Sequence, residues 1–338
     1  MKTGHVTIKD IAKLLGISPS TVSRALKDHP DISKPTIDQV KKLAAELKYR
    51  PNPIALSLKS RKSNVIGVVI PEIVHYFFSS VISGIEKVAN EHGYSVMVSQ
   101  SAESFEKEVE VCNTFLNSII DGILISVSKE TETSEHLQML NDEGIPVVFF
   151  DRMLEDFDSD RVLINDYEGA FKATEYLIVE GRRRIVHFEG PKGRSISKNR
   201  LKGYLEAHKK NGVVIDESLV VPCDTFEKAL IETQRIIDEG LKFDAIFTVN
   251  DFTAAGVIKT LKRNGISVPD EVSVIGFGND YIADMIEPTL TTVSQPGFTM
   301  GERAMQMLIT RINSEKSAPV QTEVLPTRLM LRNSTKVK

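Results

Sequence analysis

VTIKDIAKLLGISPSTVSRALKDHPDIS, residues 6–33, decides the reading of this chain of 338 residues. Thr7-Ile8-Lys9-Asp10 has the form of a capping box, with Thr7 as N-cap and Asp10 at N3. Ile8, Ile11, Ala12 and Leu15 then fall on one helical face. Gly16-Ile17 ends that helix in a tight turn. Ser18 caps a second helix with Pro19 at N1, where its missing N–H is harmless. On that helix Val22, Ala25 and Leu26 face inward, leaving Ser20, Thr21, Ser23 and Arg24 outward. A third helix, from near Ser33, buries Val40, Leu43, Ala44 and Leu47. Helix, short turn, then a helix opening with hydroxyl side chains and an arginine is a helix-turn-helix pattern. Hydroxyls grip phosphate oxygens and arginine reaches guanine O6 and N7, so the pattern points to DNA. A small three-helix bundle with no ligand is the alternative at this point.

The next stretch, LKYRPNPIALSLKS at residues 47–60, strengthens the DNA reading. Tyr49-Arg50-Pro51-Asn52-Pro53 ends the bundle, and Asn52 caps a helix over 53–58 that contains Ala55 and Leu58. That helix is too short to stand alone. Followed by the basic, polar 59–64, it reads as a hinge formed only on DNA and beside a partner copy. Charge is divided accordingly. Residues 1–62 carry a balance of +8 and the remainder −12, within a net charge of −4. A basic head on an acidic body suits phosphate neutralisation by the head.

These two stretches resemble the head and hinge of the lactose-repressor family (LacI/GalR regulators), and later motifs extend the resemblance over essentially the whole chain. The resemblance implies that Pro19, Ser20 and Arg24 read bases in the major groove. It places Thr7, Ser18, Thr21, Ser23, Tyr49 and Asn52 near phosphates. Ala55 and Leu58 belong to the DNA-binding hinge, with Leu58 of each copy wedged into the minor groove at the centre of the site. Since Pro19 and Ser20 are short, Arg24 and Leu58 are expected to carry more of the readout.

Beyond the linker, β-rich runs alternate with amphipathic helices. Strands are expected at 65–71, 95–99, 122–127, 147–151, 162–165, 185–189, 245–250 and 272–277. Helices are expected at 81–91, 168–179, 199–211, 228–239 and 253–264. The alternation gives an α/β body of doubly wound parallel sheets. The resemblance implies a two-lobed, periplasmic-binding-protein-like body crossed three times, near 163, 292 and 325. The expected organisation is a helix-turn-helix domain at 1–50, a hinge and linker at 51–63, and an effector-binding and dimerisation domain at 64–338. Within the last, the N-lobe takes about 64–163 and 294–325, and the C-lobe about 164–292 and 326–338.

Ser126, Asp151 and Asn250-Asp251 sit at strand ends, where open α/β sheets bind ligands, although such residues also serve as plain helix caps. With Arg200 they offer donors and acceptors suited to hydroxyl groups. By resemblance, His75, Phe77, Phe78, Ser126, Asp151, Arg200, Phe226, Asn250 and Gln295 fall at effector-contact positions. Aromatic faces beside fixed polar groups suit a sugar or similar polar ring. Phe77 and Phe78 fit equally well as core residues. Relatives usually carry Asp after Gly276-Phe277, where this chain has Gly278, with Asn279 or Asp280 as the nearest substitutes.

Other signals are set aside. Gly190-Pro191-Lys192-Gly193-Arg194-Ser195 lacks the ending of a phosphate loop, and no GxGxxG, HExxH or GxSxG is present. No cofactor or metal is expected, and Cys112 and Cys223 form no CxxC. Arg182-Arg183-Arg184 reads as a helix end rather than a second DNA site. No apolar run reaches the ~20 residues of a membrane span, and no signal-peptide core opens the chain. The expectation is a bacterial cytoplasmic regulator, nucleoid-associated when bound, that as a homodimer grips a pseudo-palindromic double-stranded operator under control of a small molecule, a carbohydrate by class. A stand-alone sugar-binding protein, a sugar-modifying enzyme and a regulator sensing a phosphocarrier protein are the rivals.

Overall fold

A computed structural model describes residues 6–49, 62–314 and 318–336. The expectations for Asn52, Ala55, Leu58 and the hinge helix fall outside the described residues. The chain divides into two compact units, Met1–Ser63 and Asn64–Lys338.

The first unit holds α1 (Ile8–Leu15), α2 (Pro19–Ala25) and α3 (Lys34–Glu46). The capping box at Thr7 forms in both directions: Asp10 N–H donates to Thr7 Oγ1 at 3.3 Å and Thr7 N–H to Asp10 Oδ2 at 2.8 Å. Gly16 closes α1 at φ +65°, a conformation that a side chain would strain. Thr21 N–H then donates to Ser18 Oγ at 3.1 Å, starting α2 with Pro19 at N1. Ile11, Ala12, Val22, Ala25, Val40 and Ala44 form the buried core, with Leu26, Leu43 and Leu47 packed around it.

The second unit continues with β1 (Val65–Ile70), α4 (Tyr76–Glu91), β2 (Ser95–Gln100), α5 (Phe105–Asn117), β3 (Gly122–Ile125), α6 (Glu135–Asp142), β4 (Val147–Phe150) and β5 (Asp160–Ile164). Next come α7 (Asp166–Glu180), β6 (Ile185–Glu189), α8 (Ser195–Lys210), β7 (Val220–Pro222), α9 (Phe226–Asp238), β8 (Ala245–Thr248), α10 (Asp251–Arg263) and β9 (Ser273–Gly278). The chain ends with α11 (Ile282–Met285), β10 (Thr291–Ser294), α12 (Gly297–Asn313), β11 (Thr322–Leu325) and β12 (Arg328–Met330). Two six-stranded sheets result, ordered β11-β5-β4-β3-β1-β2 and β12-β10-β9-β8-β6-β7. Of the pairings between these strands, β10–β12 alone is antiparallel among the described residues. Central strands such as β1 and β3 read as continuous apolar runs because helices cover both faces of a parallel sheet.

The chain passes between the sheets after β5, after β10 and after β11. Each sheet with its helices is one lobe. The eight expected strands are present with small shifts at their ends, whereas β7, β10, β11 and β12 were not named from sequence. These four are short, and β11 and β12 are half-exposed edge strands whose Thr, Glu and Arg residues hide an apolar pattern. Helix α5 is likewise an addition to the expected elements. Its inward face carries Glu108, which is fully buried and accepts from Ser128 N–H at 2.6 Å and Thr131 Oγ1 at 2.9 Å.

In the first lobe α4 and α12 pack closely enough that their backbones meet. A methyl group at Gly301 would overlap the Val81 carbonyl oxygen, and one at Gly84 the Phe298 carbonyl oxygen. An exposed helical Gly→Ala change gains up to about 1 kcal/mol. Gly301→Ala should instead lose about 1–3 kcal/mol through overpacking, read as a lower urea midpoint at unchanged m-value.

Candidate functional site

On the first unit, Ser18, Pro19, Ser20 and Arg24 are exposed, and Thr21 and Ser23 half-exposed. Ser18 Oγ lies 2.7 Å from Ser20 Oγ and 2.8 Å from Thr21 Oγ1, so three hydroxyls share one network at the start of α2. Arg24 has only a loose 3.8 Å approach to Asp31, both exposed, which leaves its guanidinium available. Thr7 and Ser18 are thus helix caps, whatever else they contact. Tyr49 packs against the bundle core, and burial raises its phenol pKa.

The second unit contains a cleft of about 490 Å³. Its wall comes from segments just beyond the C-terminal ends of strands in both sheets: Glu72 after β1, Glu103 after β2, Asp151 after β4, Arg194 after β6, Asn250 after β8 and Asp280 after β9. A parallel sheet places these ends together, and two facing sheets place both sets around one gap.

Eight of the nine expected effector residues line this cleft: His75, Phe77, Phe78, Asp151, Arg200, Phe226, Asn250 and Gln295. Ser126 does not. It is wholly buried, its N–H donating to the Val69 carbonyl at 3.0 Å in continuation of the ladder beyond β3, and it is not part of the wall. Phe78 both lines the cleft and belongs to the hydrophobic core, while Phe77 packs on that core from its edge. The two roles of these rings are therefore not exclusive.

Asn250 is the N-cap of α10, accepting from Thr253 N–H at 2.8 Å and donating to the Asp224 carbonyl at 2.8 Å. Arg200 donates from Nε to Asp166 at 2.7 Å and from Nη1 to the Val249 carbonyl at 2.5 Å, and it lies 3.6 Å above the Phe277 ring. His75 Nε2 is 3.1 Å from Glu72, and its ring meets Phe252 edge-on. Asp151 differs from all of these. It is only 7% exposed, sits at φ +61°, and its carboxylate has no hydrogen-bond partner among the described residues. Burial pushes its pKa up to about 6.

Gly278 is at φ +135°, where a side chain would be strained. The carboxylate of Asp251 fills the space beside it: Oδ1 accepts from Thr292 Oγ1 at 2.5 Å and Oδ2 from Asp280 N–H at 2.7 Å. A methyl at Gly276 would overlap Asp251 Oδ1. Of the two candidate substitutes, Asn279 is turned to Arg332, whose Nη2 donates to it at 2.8 Å, whereas Asp280 reaches the cleft.

Besides the His75–Phe252 ring contact, hydrogen bonds tie the lobes across the cleft. Arg194 Nη1, at the start of α8, donates to the Thr131 carbonyl at 2.5 Å. Tyr76 N–H, at the start of α4, donates to Asp280 Oδ2 at 3.2 Å, with the Tyr76 and Tyr281 rings 4.1 Å apart. Arg194 and the acidic residues Glu72, Glu103 and Asp224 line the cleft without being among the residues the sequence points to. The signal available was their place just after strands, and for Arg194 the GPKGRS segment after β6. Among the described residues no cluster of His, Cys, Asp and Glu could hold a metal, and no helix is long and apolar enough to cross a membrane. Arg182, Arg183 and Arg184 are occupied internally: Arg182 Nη1 binds the Glu271 carbonyl, Arg183 Nη1 the Ile178 carbonyl and Arg184 Nη2 the Asp216 carboxylate.

The raised pKa of Asp151 has a stability consequence. An acid whose folded pKa is raised holds its proton more tightly when folded, so ionising it opposes folding. That opposition is fully present above about pH 6 and vanishes as pH falls toward the ordinary 3.8. Asp151→Asn removes it. In thermal melts without ligand, the variant should exceed the wild type in Tm at about pH 7.5, with the gap narrowing between about pH 6 and 4.

Comparison with known proteins agrees with this architecture. Residues 7–52 match the profile described as "Bacterial regulatory proteins, lacI family", and residues 174–335 a "Periplasmic binding protein-like domain". Catabolite control protein A of Priestia megaterium is 33% identical over 336 residues, which cover 98% of this chain and 100% of that protein. The structure of the transcriptional regulator CelR in complex with cellobiose is 28% identical, with TM-score 0.75 over 98% of this chain and 100% of its own. The lac repressor dimer bound to operator and the anti-inducer ONPF, at 22% identity, shares the fold with TM-score 0.86 over 99% of this chain and 100% of its own. The chain is a transcriptional regulator rather than an enzyme, and it belongs to the LacI family of bacterial regulatory proteins.

Proposed function

We propose that this regulator is a homodimeric repressor holding a pseudo-palindromic operator with one head per half-site, its affinity switched by a sugar or sugar derivative in the cleft. The observation that carries the ligand half is Asp151, a buried carboxylate without an internal partner, in a two-lobed cleft walled by Phe77, Phe226 and Phe252. Such a group calls for hydroxyl donors, and phenyl faces suit the apolar face of a sugar ring. CelR, similar in fold and sequence, was solved with cellobiose, and the lac repressor was solved as a dimer on operator.

In this reading Pro19, Ser20 and Arg24 face base edges, while Thr7, Ser18, Thr21, Ser23, Tyr49 and Asn52 lie along the phosphates. Ala55 and Leu58 belong to the minor-groove hinge. A ligand touching both lobes favours the lobe arrangement that it fits best. Residues 50–63 are the covalent link between body and head, so the coupling passes through them or through the partner copy. Typical couplings of about 1–3 kcal/mol change operator affinity roughly 5- to 150-fold. A protein bound to operators works on the nucleoid, in the cytoplasm.

Selecting bound sequences from random DNA, followed by titration of the selected operator with and without a panel of sugars, tests both halves. A selected site with two related half-sites and a Kd that moves with one sugar is expected. No sequence preference would sink the operator reading, and a Kd indifferent to every sugar the effector reading. Arg24→Ala should weaken the selected site by about 1–3 kcal/mol while leaving binding to random DNA less affected, checked by anisotropy at fixed salt.

A further inference from the structure

We infer that the cleft takes a polyhydroxylated ligand that carries no negative charge, and that it discriminates against phosphorylated and carboxylated sugars. The inference rests on the sugar reading above and narrows its chemistry. Seven side chains of the cleft wall are carboxylates and four are lysine or arginine. What matters more is how these charges are engaged.

Each of the three arginines has part of its donors engaged inside the protein. Arg152 Nη1 donates to both oxygens of Glu103 at 2.9 Å. Arg200 is held by Asp166 and the Val249 carbonyl, and Arg194 by the Thr131 carbonyl. Two of the three charges are thereby balanced by carboxylates, Arg152 by Glu103 and Arg200 by Asp166, whereas Arg194 meets only a carbonyl and its Nε is buried without a partner among the described residues. Lys129, on an exposed turn, is the one wall cation with neither an ion pair nor a side-chain hydrogen bond among the described residues.

Four of the seven carboxylates are less engaged. Among the described residues Asp151 has no donor, and Glu227, Asp251 and Asp280 have no cation within ion-pair distance. An anionic group in this gap meets like charge away from bulk water, where repulsion is screened least. A hydroxyl meets what these groups lack, an O–H donor for Asp151. It can also accept from N–H groups of Arg200 that its internal bonds leave over.

The test is calorimetric titration of the full-length chain with neutral mono- and disaccharides, each beside the 6-phosphate and uronic acid of the same sugar. At least one neutral sugar should bind, with its anionic counterparts about tenfold or more weaker and the gap widening at low ionic strength. Asp151→Asn should weaken the neutral sugar and narrow the gap by about threefold or more, since it removes both an acceptor and a repelling charge. A phosphate or uronate binding as tightly as its neutral parent overturns the inference and leaves the sugar reading standing. Binding of no sugar of either kind overturns the sugar reading and this inference together.

Discussion

A largely buried Asp151 carboxylate with no donor among the described residues opposes folding, and the body is arranged to hold it there. It sits at the end of β4 in a left-handed conformation, with its N–H fixed to the Val162 carbonyl at 3.1 Å. The ladder thus fixes the backbone, and the side chain has no internal hydrogen bond to fall back on. A ligand hydroxyl that donates to this group relieves part of the penalty, so some binding free energy is already stored in the apo fold. Arg194 and Asp280 from the second lobe reach Thr131 and Tyr76 of the first, contacts that span the cleft that Asp151 lines.

Local chemistry was legible in the sequence where it depends on neighbours a few residues away. The capping box at Thr7, the Ser18-Pro19 start and the Gly16 stop are set within one turn of helix, and the structure forms each of them. Central strands were legible because burial on both faces makes them continuously apolar. The cleft was legible only in part. Asp151, Arg200 and Asn250 stand at strand ends, but Glu72, Arg194 and Asp280 join them only because three crossings bring two sheets face to face. Ser126 too follows a strand, yet the ladder runs on past it and the residue is enclosed, its hydroxyl without a partner among the described residues. Glu108 was invisible for another reason, since a buried glutamate breaks the helical pattern that would reveal α5.

The glycines at 276 and 278 show how one departure from the family pattern is accommodated. Gly278 offers no side chain, and its backbone would resist one. Asp251 fills the space beside it, bonded to Thr292 and to the N–H of Asp280. That second bond fixes the turn from which the Asp280 carboxylate reaches the cleft and meets Tyr76 N–H of the opposite lobe. A carboxylate two residues further on thus lines the cleft, and the same carboxylate makes the interlobe contact. A ligand that engages Asp280 would bear directly on the contact between the lobes.

The division of charge serves both ends of the molecule by one rule. A body at −12 repels the phosphate backbone, so attraction to DNA is concentrated in the +8 head, whose Arg24 is only loosely paired. The Arg182–Arg184 run would blur that division were it free, but carbonyls and carboxylates of the body occupy it. Inside the cleft the same imbalance recurs, with seven carboxylates against four lysine or arginine side chains, and of those cations Arg152 and Arg200 are already paired with carboxylates. Attraction to phosphate at one end and the acidic excess at the other thus follow from the local balance of unpaired charge, not from the total.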